Sequence, residues 1–339
     1  MKKVNIGVIG GGMIGEVHIR TILQDGRANV KWLTTRNKKA LKELVTKYSI
    51  KNSSNNYKDM LKDPELDAVV VATPPFTHLE IGREVLKANK NLIMEKPLAV
   101  NKKELLSFEK LAKSKKDLLV MECSARHARL QPKFQFIKKI IENGEIGEVY
   151  HIDHRHLTHG VFVEYNPKGK WALDKTKAGG GPFMDWGVYD LSFHLGLFDD
   201  KPELKSVKKF MKTNLRKDIK TDVEQHGAAY LEFSNGLTYY YERGSGVHRE
   251  TANESVIYGT NGSLRFNLCS WDSNEVEVNI EDKKGKINKK IRKVNMSRHK
   301  GDNEVFASHF IDCLLGKTTP LLPIETAIKN MKILFGILN

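Results

Sequence analysis

The chain opens with Val4-Asn5-Ile6-Gly7-Val8-Ile9, then Gly10-Gly11-Gly12-Met13-Ile14-Gly15, then Glu16-Val17-His18-Ile19-Arg20-Thr21-Ile22-Leu23. This reads as a short buried strand, a glycine turn and a helix, with Gly10, Gly12 and Gly15 in the G-x-G-x-x-G register. In that register the first glycine makes the tight turn and the second lets the main chain approach a pyrophosphate. The third lets helix and strand pack closely, and the free N–H groups at the helix start then face the anion. A dinucleotide site across Gly10, Gly12, Met13, Ile14 and Gly15 is the expectation, with a purely structural glycine turn as the alternative.

At 339 residues the chain exceeds one comfortable core, so two domains are expected. Apolar runs such as Asp67-Ala68-Val69-Val70-Val71-Ala72 have strand length and fall far short of a membrane span. Met1-Lys2-Lys3 before an apolar stretch imitates a secretory leader, but Asn5 and the glycines interrupt it and no cleavage pattern follows, which favours the cytoplasm. Cys123, Cys269 and Cys313 lie far apart and form no paired motif, so neither a disulfide framework nor a cysteine zinc site is expected. The net charge of +15 raises nucleic acid as a partner. Residues 281–300 carry nine Lys or Arg against two acids without interleaved aromatics. A solvated hairpin turning near Gly285, with Ile287, Ile291 and Val294 as its apolar positions, explains that run better than a nucleic-acid surface.

The first part alternates strands and helices. Val30–Leu33, Asp67–Ala72, Asn91–Met94 and Leu118–Glu122 read as strands, and Lys38–Lys47, Thr77–Lys87 and Lys102–Lys113 as helices. Such spacing predicts right-handed crossovers and a doubly wound parallel sheet, an α/β domain over 1–123. Gln131–Asn143 follows as an amphipathic helix. From Glu148 the rhythm becomes strands joined by turns such as Ser234-Asn235-Gly236, interrupted by one strong helix, Pro182–Leu197. Two helices, Asn303–Leu315 and Ile324–Phe335, close the chain. An α+β domain with an open, mostly antiparallel sheet is therefore expected over 124–339.

Three segments point the same way: the glycine fingerprint, Ala72-Thr73-Pro74-Pro75-Phe76-Thr77-His78 with Glu95-Lys96-Pro97, and Ala178-Gly179-Gly180-Gly181-Pro182-Phe183-Met184-Asp185-Trp186-Gly187-Val188-Tyr189. Together they resemble the glucose–fructose oxidoreductase / inositol dehydrogenase family, Gfo/Idh/MocA, from Val4 to about Asn330. The resemblance implies an N-terminal Rossmann domain and an NAD(P)-dependent dehydrogenase or reductase acting on a sugar, cyclitol or related polyhydroxy compound. It also implies catalytic roles for Lys96, Asp185 and Tyr189. Lys96, just beyond a strand end, is suited to stabilise negative charge on the reacting oxygen. Asp185 and Tyr189, four apart on a helix, share a face. Many members carry histidine at the position of Tyr189; here tyrosine stands, as in the glucose–fructose oxidoreductase branch. A free phenol titrates near 10, so the neighbouring ammonium of Lys96 would have to favour its anion. Trp186 and Phe193 read as core, and His194 as an interdomain contact. A non-catalytic NADP-binding redox sensor is the alternative.

The resemblance places cofactor contacts at Thr35, Arg36, Thr73, Pro74, His78, Glu95 and Lys96, and substrate contacts at Arg155, Trp171 and Asp185. An acid gripping an NAD ribose is expected about twenty residues after the fingerprint. Thr34-Thr35-Arg36 supplies none there, so NADP is expected ahead of NAD, with Asn37 as an ordinary helix cap being the other reading. His151, His154, His156 and His159 crowd one strand. Alternation puts His154 and His156 on one face and His151, Asp153 and Arg155 on the other, so polar sheet residues are expected there and no metal. Arg129 resembles the family's structural arginine. The open sheet predicts a homodimer or homotetramer; neither nucleic acid nor membrane is expected as a partner.

Overall fold

The computed structural model describes residues 3–339; Met1 and Lys2, where the leader-like opening starts, lie outside the described residues. The chain runs β1 (Val4–Ile9), α1 (Met13–Asp25), β2 (Ala28–Thr34), α2 (Lys38–Tyr48), β3 (Asn52–Ser54), α3 (Tyr57–Leu61), β4 (Ala68–Val71), α4 (His78–Lys87), β5 (Asn91–Met94), α5 (Lys102–Ser114) and β6 (Val120–Glu122). It continues with α6 (Pro132–Glu142), β7 (Val149–Thr158), α7 (Phe162–Tyr165), α8 (Lys175–Ala178), α9 (Pro182–Gly196), β8 (Leu204–Lys212), β9 (His226–Phe233) and β10 (Thr238–Ser245). The remaining elements are β11 (Glu254–Gly259), β12 (Gly262–Asn267), β13 (Glu275–Glu281), β14 (Ile287–Lys293), α10 (Asp302–Leu314) and α11 (Ile324–Leu338).

Two compact units emerge, Met1–Arg126 with Lys300–Met331, and His127–His299 with Lys332–Asn339. A single division after residue 123 follows the order along the sequence, but Lys300–Met331 groups with the first unit. The reason is visible in α10, whose Glu304 and Asp312 pair with Arg20 on α1 and Arg27 just beyond it.

The first unit holds a six-stranded parallel sheet in the order β3-β2-β1-β4-β5-β6. Every residue of β4 is buried, as a central strand covered on both faces requires, which is why it reads as an unbroken apolar run. Asn37 and Asn101 cap α2 and α5, accepting from the Ala40 and Glu104 N–H groups. β3 and α3 are additions to the expected order: Asn52-Ser53-Ser54 is a polar edge strand held only by β2, so no apolar alternation announces it.

The second unit holds an eight-stranded sheet in the order β14-β13-β12-β11-β7-β10-β9-β8, antiparallel except between β7 and β10. His154 stands level with Tyr241 and Ser255, so a polar row crosses three central strands. The basic hairpin forms as expected, with the Asp282 N–H donating to the Lys286 carbonyl and Gly285 at φ 76°. Its strand β14 is a sheet edge with one neighbour, so Ile287 and Ile291 stay 69% and 50% exposed and only Val294 is buried. The opposite edge, β8, carries Lys205, Lys208, Lys209 and Lys212; lysine on both edges opposes further strand addition.

Among the described residues no helix is long and apolar enough to cross a membrane. Cys123, Cys269 and Cys313 are all free thiols.

Candidate active site

In the first unit the loops leaving β1, β2, β4 and β5 gather at the carboxyl edge of the sheet, where open α/β folds bind ligands. Gly10 sits at φ 117°, and a Cβ there would lie 2.3 Å from the Ala72 carbonyl oxygen. A Cβ on Gly15 would lie 2.0 Å from the Gly10 carbonyl oxygen, so α1 can approach the strand only with glycine there. Gly12 is different: nothing lies within 4 Å of its missing Cβ, and as N-cap of α1 it offers no side-chain acceptor. The first N–H groups of α1 therefore open onto a cradle that fits a pyrophosphate. Met13 is exposed and Ile14 half-buried beside it.

Thr35 is half-buried and its Oγ accepts from the Asn37 N–H, while Arg36 is exposed. Thr73 and Pro74 follow β4, with the Thr73 and Thr77 hydroxyls 2.6 Å apart. His78 is buried, its Nδ1 2.9 Å from the Pro97 carbonyl and its Nε2 2.7 Å from the Thr73 carbonyl. Both ring nitrogens thus face main-chain carbonyls, the neutral ring donating to one of them, and burial holds the ring below its ordinary pKa despite those carbonyls. His78 is a clasp between the segment after β4 and the one after β5.

Glu95 is likewise held by protein groups. Its carboxylate is buried, 2.8 Å from His18 Nε2 and 2.8 Å from Arg126 Nη1, and it also accepts from the Lys96 backbone N–H at 3.1 Å. Burial alone would raise this carboxyl; the Arg126 charge and the His18 contact outweigh it and hold it well below the usual range. Glu95 therefore anchors the main chain from which Lys96 departs, and the Lys96–Pro97 bond is cis. Nearby Glu122 is pushed up to about 7 by burial, against the bonds from Ser124. Among the described residues, His18, Glu95 and Cys123 form a group with ligand atoms within 4.8 Å of one another. The Arg126 guanidinium already supplies the cation beside Glu95, and burial raises the Cys123 thiol well above its ordinary value, so the set fits a hydrogen-bonded network rather than a metal.

In the second unit the glycines before α9 let its first turn meet the loop ahead of β9: a Cβ on Gly181 would lie 2.0 Å from the Glu224 carbonyl oxygen. Glu224 Oε1 accepts from the Gly181 and Phe183 N–H groups at 2.8 and 3.2 Å, capping a helix that brings no side-chain cap of its own. Asp185 and Tyr189 share one face of α9, Asp185 half-buried and Tyr189 2% exposed. Trp186, expected in the core, is only half-buried because it lies on that same open side, whereas Phe193 is fully buried.

The sheet-facing side of α9 is held by charge. Arg243, fully buried, donates from Nε and Nη2 to Asp190 at 2.7 and 2.6 Å, and the Tyr241 hydroxyl donates to Asp190 at 2.6 Å. Arg243 Nη1 lies 2.8 Å from His156 Nδ1, and the Ser255 hydroxyl lies 2.8 Å from His154 Nδ1 and 2.9 Å from His194 Nε2. Burial lowers all three histidines, His156 to about 4 and His194 to about 3, so they are neutral near pH 7. Burial would raise Asp190, but Arg243 holds it far below the carboxylate range. His194 is thus an interior partner of Ser255 and Tyr239 rather than an interdomain contact.

The clustered histidines do not converge. His151 meets Thr238, His159 meets the Val247 carbonyl, and His154 and His156 meet Arg243. Arg155, expected at the substrate, projects from the opposite face of the sheet, where its Nε donates to Glu242 at 2.6 Å. Trp171 sits in the 3-10 turn Lys170–Leu173 against Phe162. Arg129 is buried, donating to Ser192 and Asp200, and is structural as expected. Sequence reasoning misses His18, Arg126, Asp190, Glu224 and Arg243. For His18, Asp190 and Arg243 the sequence signal is a charged or titratable residue inside an otherwise apolar helix or strand; Arg126 and Glu224 lie in connecting segments and carry no such signal.

Residues 4–123 match the family model described as "Oxidoreductase family, NAD-binding Rossmann fold", and residues 134–265 match "GFO/IDH/MocA C-terminal domain". The chain is 29% identical over 189 residues to the uncharacterized oxidoreductase YrbE of Bacillus subtilis (strain 168), covering 56% of this chain and 52% of that protein. It thus spans about half the length of that relative. It is 25% identical over 293 residues to a trans-1,2-dihydrobenzene-1,2-diol dehydrogenase of Xenopus tropicalis, covering 86% and 83%. The fold superposes on a levoglucosan dehydrogenase solved in complex with NADH and levoglucosan, with TM-score 0.83, 22% identity, and 99% and 96% of the two chains covered.

Proposed function

Because the chain belongs to the Gfo/Idh/MocA oxidoreductase family, we propose that it moves a hydride between a nicotinamide cofactor and a CH–OH carbon of a ring polyol, a sugar or cyclitol. The observation that carries this reading is the carboxyl edge of the parallel sheet, which gathers the Gly10–Gly15 cradle, Thr73 and the main-chain anchor of Lys96. Two relatives are named as dehydrogenases of levoglucosan and of a dihydrobenzenediol, both ring alcohols, which supports the substrate class.

When bound, the nicotinamide supplies the hydride acceptor or donor. Tyr189 takes the hydroxyl proton in the oxidising direction and returns it in the reducing one. The Lys96 ammonium stabilises charge on the reacting oxygen, and Asp185 accepts from substrate hydroxyls and orients the ring. Replacing Tyr189 with Phe removes the proton carrier and keeps the ring packing against His127. We expect kcat to fall by about 100-fold with the NADH dissociation constant little changed. Equal turnover in the variant removes the proton role. Tight cofactor binding with no turnover of any polyol, in the wild-type protein, favours the sensor alternative.

NADP remains ahead of NAD in this reading, because the end of β2 presents Arg36 and no carboxylate. Arg36→Ala is expected to lower kcat/KM for NADP by about tenfold and that for NAD far less, the loss of one charge-assisted phosphate contact. Comparable values for both cofactors in the wild-type protein reject discrimination by Arg36. The face of the second unit's sheet opposite α9 exposes Phe210 and Tyr230, which fits a second copy of the protein. Light scattering at micromolar concentration is expected to give two or four times the mass of one copy, and the mass of a single copy excludes this. Three free thiols fit the cytoplasm.

A further inference from the structure

In the second unit four aromatic rings close a circuit on the open side of α9. Trp271 meets His127 edge-on with centroids 5.1 Å apart, and His127 meets Tyr189 at 5.0 Å. Tyr189 meets Trp186 at 5.4 Å, and Trp186 returns to Trp271 at 6.3 Å. Tyr189 is the enclosed member, and Trp271, 58% exposed, is the outer one.

A tryptophan this open on a connecting loop is unusual, and this loop is tied down from beneath. Lys133, in the first turn of α6 and fully buried, donates from Nζ to the carbonyls of Asn267, Cys269 and Ser273 at 2.6, 3.0 and 2.6 Å. Burying an ammonium carries a desolvation cost, which the three carbonyl bonds and the nearby Asp272 carboxyl of the same loop offset while the loop keeps this path. The Leu268 N–H donates to the Asn253 carbonyl and Asn253 Nδ2 to the Cys269 sulfur, so the loop is also fixed to the strand beside it. A large apolar face is thus held rigidly in water, within one ring of the proposed proton carrier.

We infer that Trp271 is a specificity-determining residue whose indole face receives the C–H face of a ring-shaped substrate. A ring polyol has hydroxyls at its edge and an apolar face of C–H groups, and a fixed indole buries that face with almost no loss of side-chain freedom. Asp185, adjacent to Trp186 in sequence, is the acceptor for the hydroxyl edge. An acyclic polyol offers no such face and must also give up conformations to bind. This inference rests on the ring-alcohol reading above, and its test is read by binding as well as turnover.

The probes are myo-inositol, methyl β-D-glucopyranoside and the acyclic polyol glucitol, measured by saturation-transfer NMR and calorimetry in saturating cofactor, with KM and kcat read in parallel. For Trp271→Ala, the dissociation constants of the two ring compounds are expected to rise about tenfold and that of glucitol by less than about twofold. KM should change more than kcat, and Trp271→Phe should recover most of the ring affinity. Ring binding within twofold of wild type in Trp271→Ala overturns the inference, even if the enzyme turns polyols over normally. Equal weakening for ring and acyclic compounds overturns it too, since that marks a structural role, as does failure of any ring compound to bind the wild-type protein. Trp271-dependent ring binding without turnover upholds the subsite and removes the dehydrogenase reading instead.

Discussion

Lys96→Met is expected to lower kcat by about 10³-fold, with NADH binding retained within about threefold. The effect turns on what the substitution leaves in place. Glu95, clamped by His18 and Arg126, holds residue 96 through its backbone N–H, and that bond does not depend on the side chain. Methionine matches the length of lysine and removes only the charge and its donors. Loss of one preorganised donor to a developing oxyanion costs about 10²–10³ in rate, and here a full positive charge goes with it. Stopped-flow turnover with a polyol panel, beside a fluorescence titration with NADH, separates the two effects. Wild-type turnover in the variant ends the assignment of Lys96. Loss of NADH binding in step with turnover makes it a cofactor residue instead.

Arg243→Met is expected to destabilise the protein by about 3–5 kcal/mol, the cost of leaving one member of a buried ion pair without the other. Asp190 would keep the Tyr241 hydroxyl and the longer contact with His154 Nε2 at 3.5 Å but lose both bonds from the guanidinium, in a site with no solvent exposure. A melting temperature lower by about 10 °C is expected for a unit of this size. The pH dependence follows from the direction of the Asp190 shift. In the wild-type protein the carboxyl is held far below its unfolded value. The stability it contributes is therefore present above the unfolded pKa near 4 and persists until the pH falls through the lower folded one. Without Arg243, burial again favours the neutral carboxyl and His154, no longer opposed by the guanidinium, can protonate beside it, so the deficit against wild type should shrink as the pH is lowered from 7 towards 5. The wild-type protein loses stability as the pH falls below about 6.5, because the unfolded chain protonates His154, His156 and His194 while the folded one resists. A double variant, Asp190→Asn with Arg243→Met, should recover much of the loss, since neither charge then stands alone. A single variant melting within 2 °C of wild type rejects the clamp.

Why these two sites differ in legibility is a matter of range. The cradle's pattern is local: Gly10, Gly12 and Gly15 fall within six residues and their spacing announces the turn, although the contact that requires glycine at position 10 is with the distant Ala72 carbonyl. Lys96, Asp185 and Tyr189 stand out through short motifs that resemble the family's, and such motifs are also local. Their supports do not stand out. His18, Arg126 and Glu95 come together from α1, the segment after β6 and the end of β5, and Arg243 reaches Asp190 across 53 residues of sequence. Glu95 and His78 show the same division. Their place beside ligand-facing positions is visible in the sequence, whereas the partners that consume their polar atoms are not.

Periodicity, turn residues and glycine placement settled the fold class, the order of most elements and the place of the glycine turn, since each leaves a pattern within a few residues of sequence. Packing decided the rest: the return of α10 to the first unit, the neutral histidines beneath α9, and the turning of Arg155 away from the helix that bears Tyr189. Those outcomes depend on which charges meet once water is excluded, and pairing over long sequence separations leaves no local pattern to read.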